Sequence, residues 1–263
     1  MIPYPAIDPV LVSVGPFAIR WYALAYIGGI VIGWRMVRRL VEQPPRAAST
    51  EEVDDFLTWA VLGVILGGRL GYVLFYRPSY YLSNPVEALM IWKGGMAFHG
   101  GLLGVIIATV CFCRRREIDF YAFVDRLAVA TPIGLGLGRI ANFINGELWG
   151  RPWDGPWSMV FPADPLQLPR HPSQLYQAAL EGLALFTVML LLSRNERIRA
   201  RRGFLSGVFL VGYGVARIVG ELFREPDDFI GFLAGGLTMG QVLSAPMLLV
   251  GVWAIETSRR RAM

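Results

Sequence analysis

The chain has 263 residues, of which 54% are hydrophobic and only 17% charged, with a mean hydropathy of +0.47. That composition excludes a soluble domain of this length and describes an integral membrane protein. The formal charge of +5 does not indicate a nucleic-acid surface, because the basic residues fall between apolar runs rather than on one face or tail; they read as topology signals and contacts to anionic lipid.

The opening Met1-Ile2-Pro3-Tyr4-Pro5 through Gly15-Pro16 is rich in aromatics and proline and has no basic residue before Arg20. It is expected to lie at a membrane interface, and it lacks the charged start and long apolar core of a cleavable signal peptide. Seven apolar runs of roughly helix length follow, at about 18–37, 53–76, 96–113, 122–145, 173–193, 204–223 and 237–257. Runs of that length predict helices rather than the alternating ten-residue segments of a barrel. The expected fold is therefore all-α, a polytopic membrane helix bundle of about seven transmembrane helices, with residues 1–263 forming one membrane domain.

Fifteen Lys and Arg residues fall in loops and ends on one side of these runs and six on the other. The richer side is expected in the cytoplasm, which puts the N-terminus outside and the C-terminus inside. Between the second and third runs, Asn84-Pro85-Val86-Glu87 carries a cap residue, a first-turn proline and an acid, and predicts a short interfacial helix on the outer side. Cys111 and Cys113, two apart in one apolar run, read as core residues. The proline-rich tract at approximately 146–172 is expected to form a small extracytoplasmic head.

Four arginines, Arg69, Arg126, Arg139 and Arg217, fall within the predicted spans, where an ionisable group costs several kcal/mol. Arg126 is near an end and can snorkel to the interface. Arg139 opens the densest polar stretch of the chain, Gly138-Arg139-Ile140-Ala141-Asn142-Phe143-Ile144-Asn145-Gly146-Glu147-Leu148-Trp149-Gly150-Arg151. Read as helix, Arg139, Asn142 and Gly146 share one face. Trp149, Trp153 and Trp157 after it suit the membrane boundary. Glycines at 63, 67 and 71 beside Arg69, and at 134 and 138 beside Arg139, allow close helix approach, and packing alone would account for them.

A second constellation, Tyr213, Arg217, Glu221 and Arg224, lies on one helical stripe. Arg217 and Glu221 either neutralise each other or leave one arginine to meet an anion. Of the two histidines, His99 starts the third span at the depth of Arg139 and Glu147, while His171 precedes a helix start at Pro172-Ser173. Tyr26, one turn deeper than Tyr22, either belongs to the aromatic belt or faces the site. No metal-ligand spacing, phosphate-binding glycine loop or Gly-x-Ser-x-Gly elbow is present. Arginine forks suit phosphate oxygens, and at this depth the phosphates belong to lipid headgroups. The residues alone thus reach an anionic-lipid site with a candidate general base.

The stretch from Gly138 to Arg151 closely resembles the signature of the bacterial prolipoprotein diacylglyceryl transferase family. Trp21-Tyr22 with Tyr26, Gly67-Gly68-Arg69-Leu70-Gly71-Tyr72, His99-Gly100-Gly101, His171-Pro172-Ser173-Gln174-Leu175-Tyr176, and Tyr213 to Arg217 with Glu221, Arg224 and Pro226-Asp227 extend the resemblance over nearly the whole chain. Ala141 stands where the signature usually has Gly, and Gln177 where an acid commonly follows Tyr176. The resemblance implies a seven-helix inner-membrane transferase with no cofactor and no metal. It would move the diacylglyceryl group of phosphatidylglycerol to the lipobox cysteine of a prolipoprotein, releasing glycerol-1-phosphate. It also implies His99, Arg139 and Arg217 as catalytic, and Tyr26, Arg69, Asn142, Asn145, Gly146, Glu147, Gly150, Tyr213, Glu221 and Arg224 as substrate-binding. A rival class, a lipid or small-solute transporter, predicts repeated halves and polar residues through the full membrane depth. Neither is visible here, since the deep polar residues crowd toward the outer face. A different intramembrane lipid transferase would share the chemistry without the signature.

Overall fold

In a computed structural model the described residues are 1–5, 7–15, 17–226 and 231–261. Asp227, part of the last motif above, lies outside them. In chain order come a hairpin of β1 (Val10–Val14) and β2 (Phe17–Arg20), then α1 (Trp21–Val41), α2 (Thr50–Phe75) and α3 (Pro78–Ser83). Two 3₁₀ turns, Pro85–Leu89 and Ile91–Lys93, lead to α4 (Phe98–Arg116) and α5 (Phe120–Ile144). The short strands β3 (Met159–Val160) and β4 (Pro169–Arg170) precede α6 (Ser173–Gln177), a π-helical turn (Ala178–Ala184) and α7 (Leu185–Ser193). The chain ends in α8 (Glu196–Arg199), α9 (Phe204–Glu221) and α10 (Met239–Ser258).

Each predicted span coincides with a helix, and six helices among the described residues are long and apolar enough to cross a membrane. The first span forms the 21-residue α1, whose apolarity is diluted by Trp21, Tyr22 and Tyr26 at one end and Arg35, Arg38 and Arg39 at the other. Large apolar side chains stay exposed along the helices, as in the stripe Leu62, Leu66, Leu70 and Leu74 of α2. In water such a stripe would be costly; against lipid tails it costs nothing. Cys113 is buried, but Cys111 is exposed. The two residues differ by about 200° around α4, so only one can face protein.

The chain divides into two compact units, residues 38–123 and residues 1–37 with 124–263. In the first, α2 opens with a capping box: Ser49 Oγ accepts from the Glu52 amide, and Glu52 accepts from the Ser49 amide. α2 and α4 run antiparallel with their glycines face to face. A Cβ on Gly104 would lie 2.0 Å from the Gly63 oxygen, and one on Gly67 would lie 2.3 Å from the Gly100 oxygen. Only hydrogen allows this approach. Phe56, Phe112 and Phe123 close the other end, with ring centroids 5.1 to 6.0 Å apart.

The predicted interfacial helix after Asn84 is instead the pair of 3₁₀ turns. Arg69 explains the difference, because its guanidinium donates to the carbonyls of Glu87 (2.6 Å), Ala88 (2.8 Å), Gly94 (2.5 Å) and Gly95 (3.1 Å). Carbonyls turned toward a buried cation cannot also build an α-helical ladder. The Asn84 side chain donates back to the Tyr80 carbonyl and makes no cap.

In the second unit, α1 meets α5 where Gly29 faces Gly134, and α5 meets the π-helical turn where Gly136 faces Gly182. α9 and α10 cross antiparallel, Gly207 against Gly251 and Gly214 against Ser244 and Leu248. Above them residues 146–172 fold around Phe143, Met159 and Phe161, with Tyr4, Trp149 and Leu175 packed against these three. The β1–β2 hairpin was not legible in the proline-rich opening; it turns at Gly15, which has φ +58°.

Gly104→Val is expected to lower the thermal midpoint of the detergent-solubilised protein by about 10 °C or abolish folding, whereas Leu66→Val on the lipid face should leave it nearly unchanged. Circular dichroism melting of both variants checks this.

Candidate active site

The site grows from one helix contact. Because Gly136 and Gly182 touch backbone to backbone, Arg139, one turn beyond Gly136, and Glu181, immediately before Gly182, come within reach of each other. Arg139 Nε donates to Glu181 Oε2 at 2.9 Å, and the Glu181 side chain is fully buried. From α9, Arg217 places Nη2 2.7 Å from Glu221 Oε1 and Nη1 3.8 Å from Glu181 Oε1. Gln177, one turn before Glu181, offers its Oε1 to Arg217 Nη1 at 3.5 Å. Arg224 Nη1 donates to the same Glu221 oxygen at 3.1 Å. Tyr213, two α9 turns before Glu221, lies within interaction range of Arg139, Arg217 and Glu181.

Three arginines and two carboxylates therefore alternate through the unit. The Arg217–Glu221 pair of the sequence reading forms at 2.7 Å, with Glu221 also held by Arg224, while Glu181 holds Arg139 at 2.9 Å and stands 3.8 Å from Arg217. A shared counter-ion leaves room for a second anion.

A second knot closes the end of α5. The helix stops at Ile144, so Gly146 does not continue the face of Arg139 and Asn142 as expected. It adopts φ +65°, the left-handed conformation that ends a helix, and Tyr4 OH caps the carbonyls of Phe143 and Ile144. Glu147 turns back, and its Oε1 accepts from Asn142 Nδ2 (2.7 Å) and Asn145 Nδ2 (3.3 Å). The Glu147 carbonyl accepts from buried Gln174, and Ser173 Oγ donates to the Leu148 carbonyl. Tyr22 feels both Glu147 and Arg139 electrostatically, and its hydroxyl lies 3.3 Å from that of Tyr26. Tyr26 itself is exposed.

Gly150 lies where two other strands of chain pass. Its amide donates to the His171 carbonyl, the Arg151 amide donates to the Phe223 carbonyl, and a Cβ at 150 would sit 2.5 Å from His171 O and 2.6 Å from Phe223 O. His171 stacks on Trp153 at 4.3 Å and pairs with Tyr176 OH at 3.2 Å. Burial lowers the His171 pKa and favours the neutral ring. Arg170 grips Asp164 with two hydrogen bonds, 2.6 and 3.1 Å, and reaches the Gly150 carbonyl at 3.3 Å.

Of the expected site residues, Arg139, Tyr213, Arg217, Glu221 and Arg224 form one cluster, and Asn142, Asn145, Gly146 and Glu147 form the adjoining knot. His99 and Arg69 belong to the other unit. His99 is exposed in the first turn of α4, with its ring edge-on to Phe98 at 5.6 Å. Arg69 is occupied with the four carbonyls described above. Sequence reasoning missed Glu181 and noted Gln177 only as a departure from the family pattern, not as a site residue. Glu181 is the sole acid in the apolar run from Ser173 to Ser193, and that isolation was the available signal. Ala141 is completely buried and fits without displacing the helix.

An apolar helical bundle that keeps a cluster of arginines and carboxylates inside it defines a polytopic membrane protein with a buried ion-pair cluster. The model of the prolipoprotein diacylglyceryl transferase family matches residues 9–257, and the chain belongs to that family. It is 58% identical over 261 residues to a phosphatidylglycerol–prolipoprotein diacylglyceryl transferase of Azospirillum brasilense, covering 99% of this chain and 97% of that one. It is 61% identical over 260 residues to the enzyme of the same name from Gluconacetobacter diazotrophicus, covering 98% and 92%. The Bradyrhizobium diazoefficiens enzyme of that name is 52% identical over 268 residues. The family is one of bacterial membrane enzymes.

Asp164 supplies a pH prediction. The Arg170 guanidinium holds its carboxyl below the usual carboxylate range, so the pair's stabilisation is full above the ordinary Asp pKa of about 3.9 and is lost as pH falls through the lowered value. Amide hydrogen-exchange protection over residues 159–170, corrected for the intrinsic rate at each pH, should be high at neutral pH and fall below pH ~4. In Asp164→Asn it should already be low at pH 7.

Proposed function

We propose that the protein transfers the diacylglyceryl group of phosphatidylglycerol to the lipobox cysteine thiol of prolipoproteins, the first step of bacterial lipoprotein maturation, and that the Arg139–Arg217 cluster is where the headgroup phosphate binds. The observation that carries the reading is the shared Glu181: two arginines with low exposure face one fully buried carboxylate. In the reaction the cysteine sulfur attacks the glycerol carbon, a carbon–sulfur bond forms, and the carbon–oxygen bond to phosphate breaks. Glycerol-1-phosphate leaves with the oxygen and the electron pair. The phosphate passes from a diester with one negative charge to a monoester approaching two. Arginines already aimed at it stabilise the charge that develops, a contribution of about 3 kcal/mol per well-placed donor.

The thiol, with an ordinary pKa of about 8.5, must lose its proton. His99 takes it, because imidazole is the side chain suited to proton transfer near neutral pH. Tyr213 and Glu221 orient Arg217, Arg224 neutralises the far side of Glu221, and the Asn142–Asn145–Glu147 knot fixes the end of α5 beside Arg139. Tyr26 borders the headgroup, Gly150 admits the crossing of the head's chain segments, and Arg69 anchors residues 87–95. The site faces the outside of the inner membrane, with the N-terminus outside and the C-terminus in the cytoplasm; the distribution of fifteen against six basic residues supports this orientation.

Arg139→Lys and Arg217→Lys should each lower kcat/KM about 100-fold in an assay of glycerol phosphate release with a lipobox peptide, because lysine keeps the charge but not the fork. Near-parental turnover in either would contradict phosphate recognition by that arginine. His99→Gln should be slowed about 100-fold at pH 7 and recover toward pH 9 as the peptide thiol ionises unaided. A rate and pH profile unchanged from the parent would remove His99 as the base.

A further inference from the structure

We propose that Glu181 is the positioning residue of the reaction: it fixes the guanidinium of Arg139 from behind and balances Arg217, so that both cations stay in place to receive one phosphate. This rests on the reading of the cluster as the headgroup site. Glu181 is the acid of the cluster that lies between Arg139 and Arg217, and its side chain is fully buried. Its Oε2 holds Arg139 by Nε, and Tyr213 makes a further side-chain hydrogen bond to the same guanidinium. Its Oε1 accepts no hydrogen bond among the described residues and stands 3.8 Å from Arg217. The carboxylate is thus firmly tied to one arginine and loosely tied to the other.

The local backbone is built for this. The π-helical turn Ala178–Ala184 carries Glu181, and such turns widen a helix by one residue and recur at functional sites. Gly182 beside it has no space for a side chain: a Cβ there would lie 2.6 Å from the Gly136 Cα. The touching glycines set the depth from which a side chain as short as glutamate reaches Arg139. Gln177 projects one turn away with its Oε1 toward Arg217, and its buried Nε2 lacks a hydrogen-bond partner among the described residues.

Glu181 does not touch the phosphate, since a carboxylate would repel it. Nor does burying these charges serve stability well, because replacing buried ion pairs with packed apolar groups is often neutral or stabilising. What the arrangement provides is geometry. Without Glu181, two guanidiniums in an apolar interior repel each other and Arg139 loses its lateral hold.

The test uses the full-length protein in phosphatidylglycerol-containing micelles, comparing Glu181→Gln, Glu181→Ala, Arg139→Lys and the Arg139→Lys/Glu181→Gln double variant. Transfer to a lipobox peptide is measured together with phosphatidylglycerol retention in native mass spectra. Glu181→Gln keeps an acceptor for Arg139 Nε and should lose about 10-fold in kcat/KM; Glu181→Ala should lose about 100-fold. In the Arg139→Lys background, Glu181→Gln should cost less than about threefold more, because Glu181 acts through Arg139. Losses that multiply in the double variant, or a Glu181→Gln protein with parental kcat/KM and lipid retention, would overturn the proposal. Should Glu181→Ala fail to fold, Glu181→Gln and the double variant still decide. A parent that retains phosphatidylglycerol but transfers nothing would sink the transferase reading alone, and lipid retention in Glu181→Gln would then decide the positioning role: reduced retention supports it, parental retention overturns it.

Discussion

A guanidinium in an apolar bundle is stable only where something negative faces it, and that requirement organises the larger unit of this protein. Glu181 and Glu221 answer three arginines drawn from α5, α9 and the turn after α9. The low polarity around them strengthens every attraction and makes every unpaired charge costly. A cluster of this kind holds its members in a narrow range of positions, and catalysis of phosphate departure needs that constancy more than it needs extra charge.

Glycine makes the cluster possible. Gly136 against Gly182 brings the π-helical turn up to α5, and Gly29 against Gly134 does the same for α1. In lipid no hydrophobic force presses helices together, so close backbone approach is the means of association. Here that approach also sets how far a buried side chain must reach. Packing and chemistry depend on the same residues, and a bulky replacement at either glycine would separate Arg139 from its counter-ion as it separated the helices.

Much of the fold was legible because lipid imposes one simple rule, twenty or so apolar residues per crossing. The seven runs read from the sequence fall on α1, α2, α4, α5, the helix from Ser173 to Ser193, α9 and α10. Arg139, Arg217 and Glu221 were legible for the opposite reason, since charge in such a run is conspicuous. Glu181 was equally conspicuous by that rule, but the ion pair it makes joins residues 42 apart, and no helical spacing announces such a partner. The 3₁₀ turns after Asn84 escaped because a long-range cation overrode a good local helix start. The β1–β2 hairpin escaped because proline and aromatic residues masked its alternation.

The central claim is that this cluster handles the headgroup of a phospholipid whose diacylglyceryl group goes to a cysteine. The most direct measurement is the intact mass of a synthetic lipobox peptide after incubation with the purified protein and phosphatidylglycerol. The account predicts a gain of one diacylglyceryl group, absent with Arg139→Ala protein and absent when the peptide cysteine is serine. A peptide of unchanged mass with parental protein, or the same gain with Arg139→Ala, would contradict it.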